Sequence, residues 1–553
     1  MSSFRFFAIS VGLTLAFGAL IANLYDIQVK DGTQYAAKAA SQDRVKGFFE
    51  AKRGSIYFTD RNDNPIPAVM NRDYPVVCGV PREMTDSKGA AATVSEILGL
   101  DALEVKAKFS KTGDAYELLA VKVTDAIVER IRAAAVKGIY VSEENFRYYP
   151  FESLAAHVLG FMGPSEEDDG FRGRYGIELA LDARLGGVAG IMAVSDTSGV
   201  APRHGEDIFL TIDRNVQAHA EEILTKLVRD HGASGGTVIV EDPATGAILT
   251  LANTPTFDPN RYGEFPVANF LNPATQAIYE PGSVMKVVTM AAGIDSGKIT
   301  PETTYTDTGL VTLNGKKISN ADGKVYGTIT MREVIEHSVN TGAAFAVKRI
   351  GADLFYRYLE AFGFSQATGI GLPGEVRGQL ASLDERKREV SLATASFGQG
   401  IAVTPIQLIA AISSIANGGK LMRPRIVATD PFEEVGRPVS ALAARQVVQM
   451  MVNAVDKAKV AAISNYTVAG KTGTAQIPDF KRGGYTNEYL HTYVGFAPAS
   501  APRFVILVKL NKPVDAPLAG QTVVPAFREL AEFLLNYYAI PPDNLSPTGT
   551  GGN

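Results

Sequence analysis

Ser283 and Lys286 stand three positions apart at the head of an apolar run that includes Val284, Met285, Val287, Val288, Met290, Ala291 and Ala292. That spacing puts both polar side chains on one helix face, and a helix apolar nearly all round is a buried one. A serine hydroxyl attacks a carbonyl poorly at neutral pH unless a base takes its proton. A lysine becomes such a base once burial and a second cation lower its pKa. Alone, the pair reads more readily as a helix-starting serine with a snorkelling lysine. Two further motifs follow it in order, Ser338-Val339-Asn340 and Lys471-Thr472-Gly473-Thr474. Ser338 could pass a proton to a leaving amine and Asn340 could hydrogen-bond a substrate backbone, although both could instead be caps in a helix–helix corner. Lys471, Thr472 and Thr474 could hold a carboxylate, Gly473 would admit a ligand backbone, and Lys471 could be the second cation; a polar turn is the bland alternative. The N–H groups of Ser283 and Thr474 are candidates for an oxyanion hole. Nucleophile, base, proton relay and carboxylate clamp together describe acyl transfer through a serine ester.

Positioning these groups takes a turn, two helices and a sheet. Tyr279-Glu280-Pro281-Gly282 reads as a turn feeding the serine helix. Residues 331–338 have helical spacing and end at Ser338, with another helical run over 343–350. The Lys471 motif ends a strand-like run over 465–470, and strands over 492–499 and 503–510 follow, parted by Ser500-Ala501-Pro502. An antiparallel arrangement with the motif near one edge is expected. Leu210 to Asp213 opens a helix through Val228, a strand covers 236–241, and a last helix covers 524–538. Strands at both ends with helices between predict a mixed sheet covered by helices. Upstream of about 205, strand-like pieces (53–58, 74–80) alternate with amphipathic helical ones (91–109, 124–135), and nothing catalytic stands out. An extended pedestal fits that pattern, with Arg53 and Glu178 as candidates for structural pairing.

At 553 residues the chain is too long for one core. A net charge of −5 gives no argument for nucleic-acid binding, and the lone Cys78 excludes an internal disulfide framework. The histidines (157, 204, 219, 231, 337, 491) are scattered, so no metal site and no cofactor are expected. Gly369-x-Gly371-x-x-Gly374 carries Pro373 inside it, with no strand before it and no helix after, and reads as a loop. Glu166-Glu167-Asp168-Asp169 reads as a solvated loop. Residues 6–24 hold no charge, about 19 residues, enough to cross a bilayer as a helix. Arg5 before them and Asp26 after favour a cytoplasmic N-terminus, and the length favours an uncleaved anchor over a signal peptide. The expected organisation is a cytoplasmic tail (1–5), a transmembrane anchor (6–24), a pedestal (25–205), a catalytic domain (206–541) and a disordered tail (542–553), rich in Pro, Thr and Gly.

The ordered triplet resembles the signature of penicillin-binding proteins and serine β-lactamases. Its flanks resemble the class B penicillin-binding proteins, the monofunctional D,D-transpeptidases: Asp242-Pro243-x-Thr245-Gly246, Ala252-Asn253-x-Pro255-x-Phe257-Asp258-Pro259-Asn260, Phe397-Gly398-Gln399-Gly400 and Thr404-Pro405-x-Gln407-Leu408. Arg53-Gly54-Ser55-Ile56, Arg147-x-Tyr149-Pro150, His157-Val158-Leu159-Gly160 and Gly176-Ile177-Glu178 resemble that family's non-catalytic region, so the likeness covers nearly the whole chain. The resemblance implies an α+β multidomain protein: a transmembrane helix, an extended dimerisation-type pedestal, and a mixed α/β, β-lactamase-like transpeptidase domain. It implies that Ser283 attacks the D-Ala-D-Ala bond of a peptidoglycan stem peptide with Lys286 as base. Ser338 and Lys471 would serve the leaving D-alanine, Asn340 would orient the donor, and Lys471, Thr472 and Thr474 would hold its carboxylate. An amine from a neighbouring stem would then form the cross-link, and β-lactams would acylate Ser283. The implied setting is the bacterial plasma membrane with the catalytic domain outside it. The implied partners are a SEDS-family glycosyltransferase and other divisome membrane proteins, because no glycosyltransferase region is apparent. Tyr493-Val494-Gly495-Phe496-Ala497-Pro498 is closer to the division type than to the elongation type. The competing readings are a D,D-carboxypeptidase or β-lactamase, in which water replaces the amine, and an inactive scaffold or β-lactam sensor.

Overall fold

The structure, a computed structural model, describes residues 51–111, 116–165, 171–190, 200–380, 383, 388–479 and 481–544. The expected anchor over 6–24 and the acidic run at 166–169 lie outside the described residues. Among the described residues no helix is long and apolar enough to cross a membrane. The described residues divide into two units, one holding 51–54, 183–190 and 200–206, the other those between 55 and 182 and between 207 and 544. In the first, Gly54 N donates to Leu185 O (2.8 Å) and Lys52 N to His204 Nδ1 (3.0 Å).

The second unit opens with a sheet built on one long strand. β1 (Ile56–Thr59) and β2 (Ile66–Gly79) are antiparallel, and β2 also pairs with β3 (Glu117–Ala120) and β4 (Ile139–Tyr148). α1 (Ser87–Leu98), α2 (Ala102–Phe109) and α3 (Asp125–Ala134) cover it through Val94, Val105, Phe109 and Ile131. The single helix expected over 91–109 is two, because Gly99 ends α1 in the left-handed conformation (φ 69°) and Asp101 caps α2. Glu178 is structural: it receives Arg147 Nε at 2.7 Å with both side chains buried.

β5 (Ile208–Asp213) lies parallel to β1, so the first sheet takes a strand from beyond the expected domain boundary at 205. The helix expected from Leu210 therefore starts later. α4 (Arg214–Asp230) begins where the Asp213 carboxylate accepts from the N–H groups of Asn215 and Val216, and Leu210 to Asp213 are strand. β6 (Gly235–Glu241) and β7 (Ile248–Thr254) follow. The helical layer holds α5 (Met285–Asp295), α6 (Met331–His337), α7 (Asn340–Ile350), α8 (Pro405–Ala416) and α9 (Ala441–Ala458). Thr330 with Glu333 closes a capping box on α6, and Thr404 with Gln407 does so on α8, where Pro405 fills the first turn. β8 (Ala469–Pro478), β9 (Tyr485–Phe496) and β10 (Val505–Asn511) then pair with the earlier strands, and α10 (Val523–Tyr537) ends the domain.

The resulting sheet runs β8-β9-β10-β6-β7. Every neighbouring pair in it is antiparallel, not the mixed arrangement expected. β6 and β10 are central, and their apolar runs are buried on both faces. α4 and α10 supply one covering layer through Val216, Leu224, Phe527 and Leu534. α8 lies against β6 and β10 as well. β8 is one of the two edge strands of this sheet, β7 being the other. Residues 542–544, the start of the expected disordered tail, are held: Asp543 accepts from Thr467 N (2.7 Å) and Ser500 Oγ (2.5 Å), and Asn544 N donates to Asn465 O (3.1 Å).

Candidate active site

Ser283 lies in the single 3-10 turn Gly282–Val284 that runs directly into α5. The turn is gripped from two sides. Gly282 adopts φ +58° and donates to Gly398 O at 3.1 Å, while a Cβ on Gly398 would sit 2.2 Å from Gly282 O, so only glycine fits there. Gly400 N donates to Glu280 Oε1 at 2.8 Å. The Phe397-Gly398-Gln399-Gly400 segment, quoted above only as flanking text, thus fixes the serine turn.

One turn along α5, Lys286 is fully buried and its Nζ lies 2.9 Å from Ser283 Oγ. The same Nζ donates to Ser338 O (2.6 Å) and lies 3.2 Å from Ser338 Oγ. Ser338 ends α6 in the left-handed conformation (φ 55°), which directs both its carbonyl and its hydroxyl at the lysine. From the edge strand β8, Lys471 Nζ reaches Ser338 Oγ at 2.9 Å, with Thr472 O at 3.2 Å and Thr472 Oγ1 at 3.4 Å. Four of the expected residues therefore form one chain of contacts, Ser283–Lys286–Ser338–Lys471.

The electrostatics of that chain follow from what it lacks. Burial, and then the Lys471 cation, hold Lys286 well below the ordinary lysine value, opposed only by the charge of Asp322. Burial lowers Lys471 to about 8. Neither lysine has a carboxylate among its hydrogen-bond partners in the described residues, so each is stabilised by giving up its proton. Lys286 Nζ donates to Ser338 O, Ser338 Oγ and Ser283 Oγ; once it has lost one proton, two N–H groups remain for Ser338 and a lone pair is left to receive the Ser283 proton.

The other expected residues take separate places. Gly473 lies inside β8 rather than after a short strand, opposite Thr492, and a Cβ there would sit 2.6 Å from Pro281 O and 3.1 Å from Val284. It is the serine turn that needs this glycine, whereas the sequence pointed to a ligand backbone. Thr474 Oγ1 accepts from Ala519 N at 3.3 Å, from the turn that precedes α10. Asn340 stands outside the chain of contacts, at the head of α7, with Nδ2 donating to Ser319 O at 2.9 Å. Beneath it, Thr341 Oγ1 lies 2.7 Å from Asp307 Oδ1, and Asn320 Nδ2 donates to Asp307 Oδ2 at 2.9 Å. Behind the serine turn, Lys509 of β10 sits 4.7 Å from the centre of the Tyr279 ring, and burial lowers it to about 8. Asp307, Asn320, Asp322 and Lys509 had no sequence signal, because each reaches the site only through long-range pairing.

Comparison with known proteins agrees over most of the chain. The model of the penicillin-binding protein transpeptidase domain matches residues 236–532, and that of the penicillin-binding protein dimerisation domain matches residues 49–202. Stage V sporulation protein D of Bacillus subtilis is 31% identical over 87% of this chain and 79% of its own length. Peptidoglycan D,D-transpeptidase FtsI of Escherichia coli is 28% identical over 94% of this chain and 88% of its own. Among solved structures, penicillin-binding protein 3 of Mycobacterium tuberculosis in complex with aztreonam is 27% identical with a TM-score of 0.67, covering 89% of this chain and 97% of that one.

Proposed function

This chain belongs to the class B penicillin-binding proteins, the peptidoglycan D,D-transpeptidases, and from that premise we propose how its residues divide the reaction. Neutral Lys286 takes the proton as Ser283 Oγ attacks the carbonyl of the penultimate D-alanine. The N–H groups of Ser283 and Thr474 receive the developing oxyanion. Ser338, between the two lysines, hands its proton to the amine of the departing D-alanine and takes in its place the one that Lys286 removed from Ser283, while Lys471, Thr472 and Thr474 hold that residue's carboxylate and Gly473 keeps the strand close to the serine turn. Asn340 orients the donor backbone. An amine from a second stem then attacks the ester, Lys286, neutral again, accepts its proton and returns it to Ser283 Oγ as the ester C–O bond breaks, and the cross-link leaves Ser283 free. β-Lactams acylate the same oxygen because their amide occupies the donor's position.

The observation that carries this reading is the chain Ser283–Lys286–Ser338–Lys471, at 2.9, 3.2 and 2.9 Å, with both lysines buried and no carboxylate in it. Residues 6–24 are the membrane anchor, with the N-terminus cytoplasmic; 25–205 form the pedestal and 206–541 the catalytic domain outside the plasma membrane. Septal synthesis alongside a SEDS-family polymerase is the cellular role, supported by the likeness to FtsI. Incubating the protein with donor and acceptor stem peptides tests the reaction: cross-linked dimer is expected, and hydrolysis alone would make it a carboxypeptidase. Fluorescent penicillin should label the wild type and not Ser283→Ala.

A further inference from the structure

The loop over residues 319–326 borders the Ser338–Asn340 corner and is fixed to it at both ends. At one end Ser319 O receives Asn340 Nδ2, and Asn320 is tied to Asp307 and to Thr341 Oγ1 (3.1 Å). At the other, the Tyr326 ring lies 4.7 Å from that of His337, the residue before Ser338. Asp322 sits between these fixed points. Its Oδ1 accepts from Lys324 N (3.1 Å) and its Oδ2 from Tyr326 O–H (2.6 Å), which orients the carboxylate and leaves each oxygen a second lone pair. The side chain is 39% exposed, and its one ion-pair partner among the described residues is the still more exposed Lys324 at 3.7 Å, a contact of little strength. The charge of Asp322 reaches Lys286.

The substrates give this carboxylate work that the transpeptidation scheme leaves unassigned. An attacking alkyl amine arrives mostly as an ammonium at neutral pH. The site it enters holds the Lys471 cation, which at about 8 keeps its proton at neutral pH, so approach is disfavoured unless an anion offsets it. We propose that Asp322 is an ammonium-recognition residue at the rim of the active site, binding the side-chain ammonium of the diamino acid in a stem peptide. It thereby sets a preference for stems that carry a free amine, and it rests on the transpeptidase reading above. The ammonium can come from the donor stem or from the acceptor, and the chemistry is the same.

The test is a selectivity ratio measured on the full chain. Cross-linking rates are compared for donors whose diamino side chain is free or acetylated, and for a diamino-acid acceptor against hydroxylamine, which is neutral at pH 7. Wild type should favour the ammonium-bearing partner of one pair by about tenfold, and Asp322→Asn should bring that ratio to near one. Asp322→Glu should restore part of it. A ratio lost only for the donor pair assigns the contact to the donor stem, and one lost only for the acceptor pair assigns it to the acceptor. Equal slowing with charged and neutral partners, or no change in either ratio, overturns the proposal. Absence of penicillin labelling or of cross-linking in the wild type would instead overturn the functional reading beneath it.

Discussion

Arg147 on β4 and Lys286 on α5 are both shut away from water, with 5% of the Arg147 side chain and none of Lys286 exposed. Arg147 faces the Glu178 carboxylate at 2.7 Å and Asn71 Oδ1 at 2.9 Å, so its charge is met by a charge. Among the described residues Lys286 faces only a carbonyl and two hydroxyls. An arginine cannot shed its proton in a protein, so burying one demands a partner; a lysine can, and burial without a partner makes it a base. The two regions thus meet the same cost of desolvation in opposite ways. One gains a fixed scaffold contact, the other a reactive amine.

The sharpest way to break that contrast is Lys286→Ala. If the neutral amine is the base, acylation of Ser283 by fluorescent penicillin should fall about 10⁴-fold while the protein stays folded by calorimetry. A fall of less than tenfold would mean that Lys286 is a structural lysine like any other.

Stability should separate the two regions in the reverse sense. Glu178→Ala leaves the Arg147 guanidinium buried and unpaired, and should cost about 3–4 kcal/mol in denaturant unfolding. Penicillin acylation by the molecules that remain folded should be unchanged. Lys286→Met exchanges an unpaired buried amine for an apolar chain of similar length, and should leave stability equal or higher. If Lys286→Met destabilises as much as Glu178→Ala, both cations are structural and the distinction fails.

The chemistry was more legible in the sequence than the contacts that enforce it. Ser283, Lys286, Ser338 and Lys471 are visible because their types and spacing match a reaction, and helix signals surround two of them. What the sequence could not show is how Ser338 is aimed. Its left-handed φ of 55° is imposed at the junction of α6 and α7, and serine has no strong local preference for it. The sheet was legible as strands but not as pairings. Leu210 to Asp213 carry a helix cap, Asp213, but β1, some 150 residues earlier, claims them as a parallel strand. Gly473 was legible as a glycine with a reason, yet the backbone that needs the space is Pro281, a neighbour only after β8 has folded against the serine turn. Asp322 has no motif at all.

Lys471 offers the finest test, because its departure from the ordinary value is printed in the pH dependence of stability. Burial sets it at about 8 in the folded chain against 10.5 for an unperturbed lysine. Between those values the unfolded chain binds more protons than the folded one, so stability rises with pH across that window. Below about 8 both states are protonated and the burial penalty is present in full; above about 10.5 neither is, and the penalty is gone. The slope from one such group is at most about 1.4 kcal/mol per pH unit. Lys509 adds a slope of the same sign, so the wild-type curve alone does not isolate Lys471. The difference between wild type and Lys471→Met does: unfolding free energies measured from pH 8 to 10.5 should converge, with the variant gaining less as pH rises. The same substitution removes the cation that helps hold Lys286 down, so the acidic limb of the acylation profile, which reports deprotonation of the base, should move to higher pH. Parallel stability curves together with an unmoved limb would mean that Lys471 keeps its proton and finds its compensation elsewhere, as Arg147 does with Glu178.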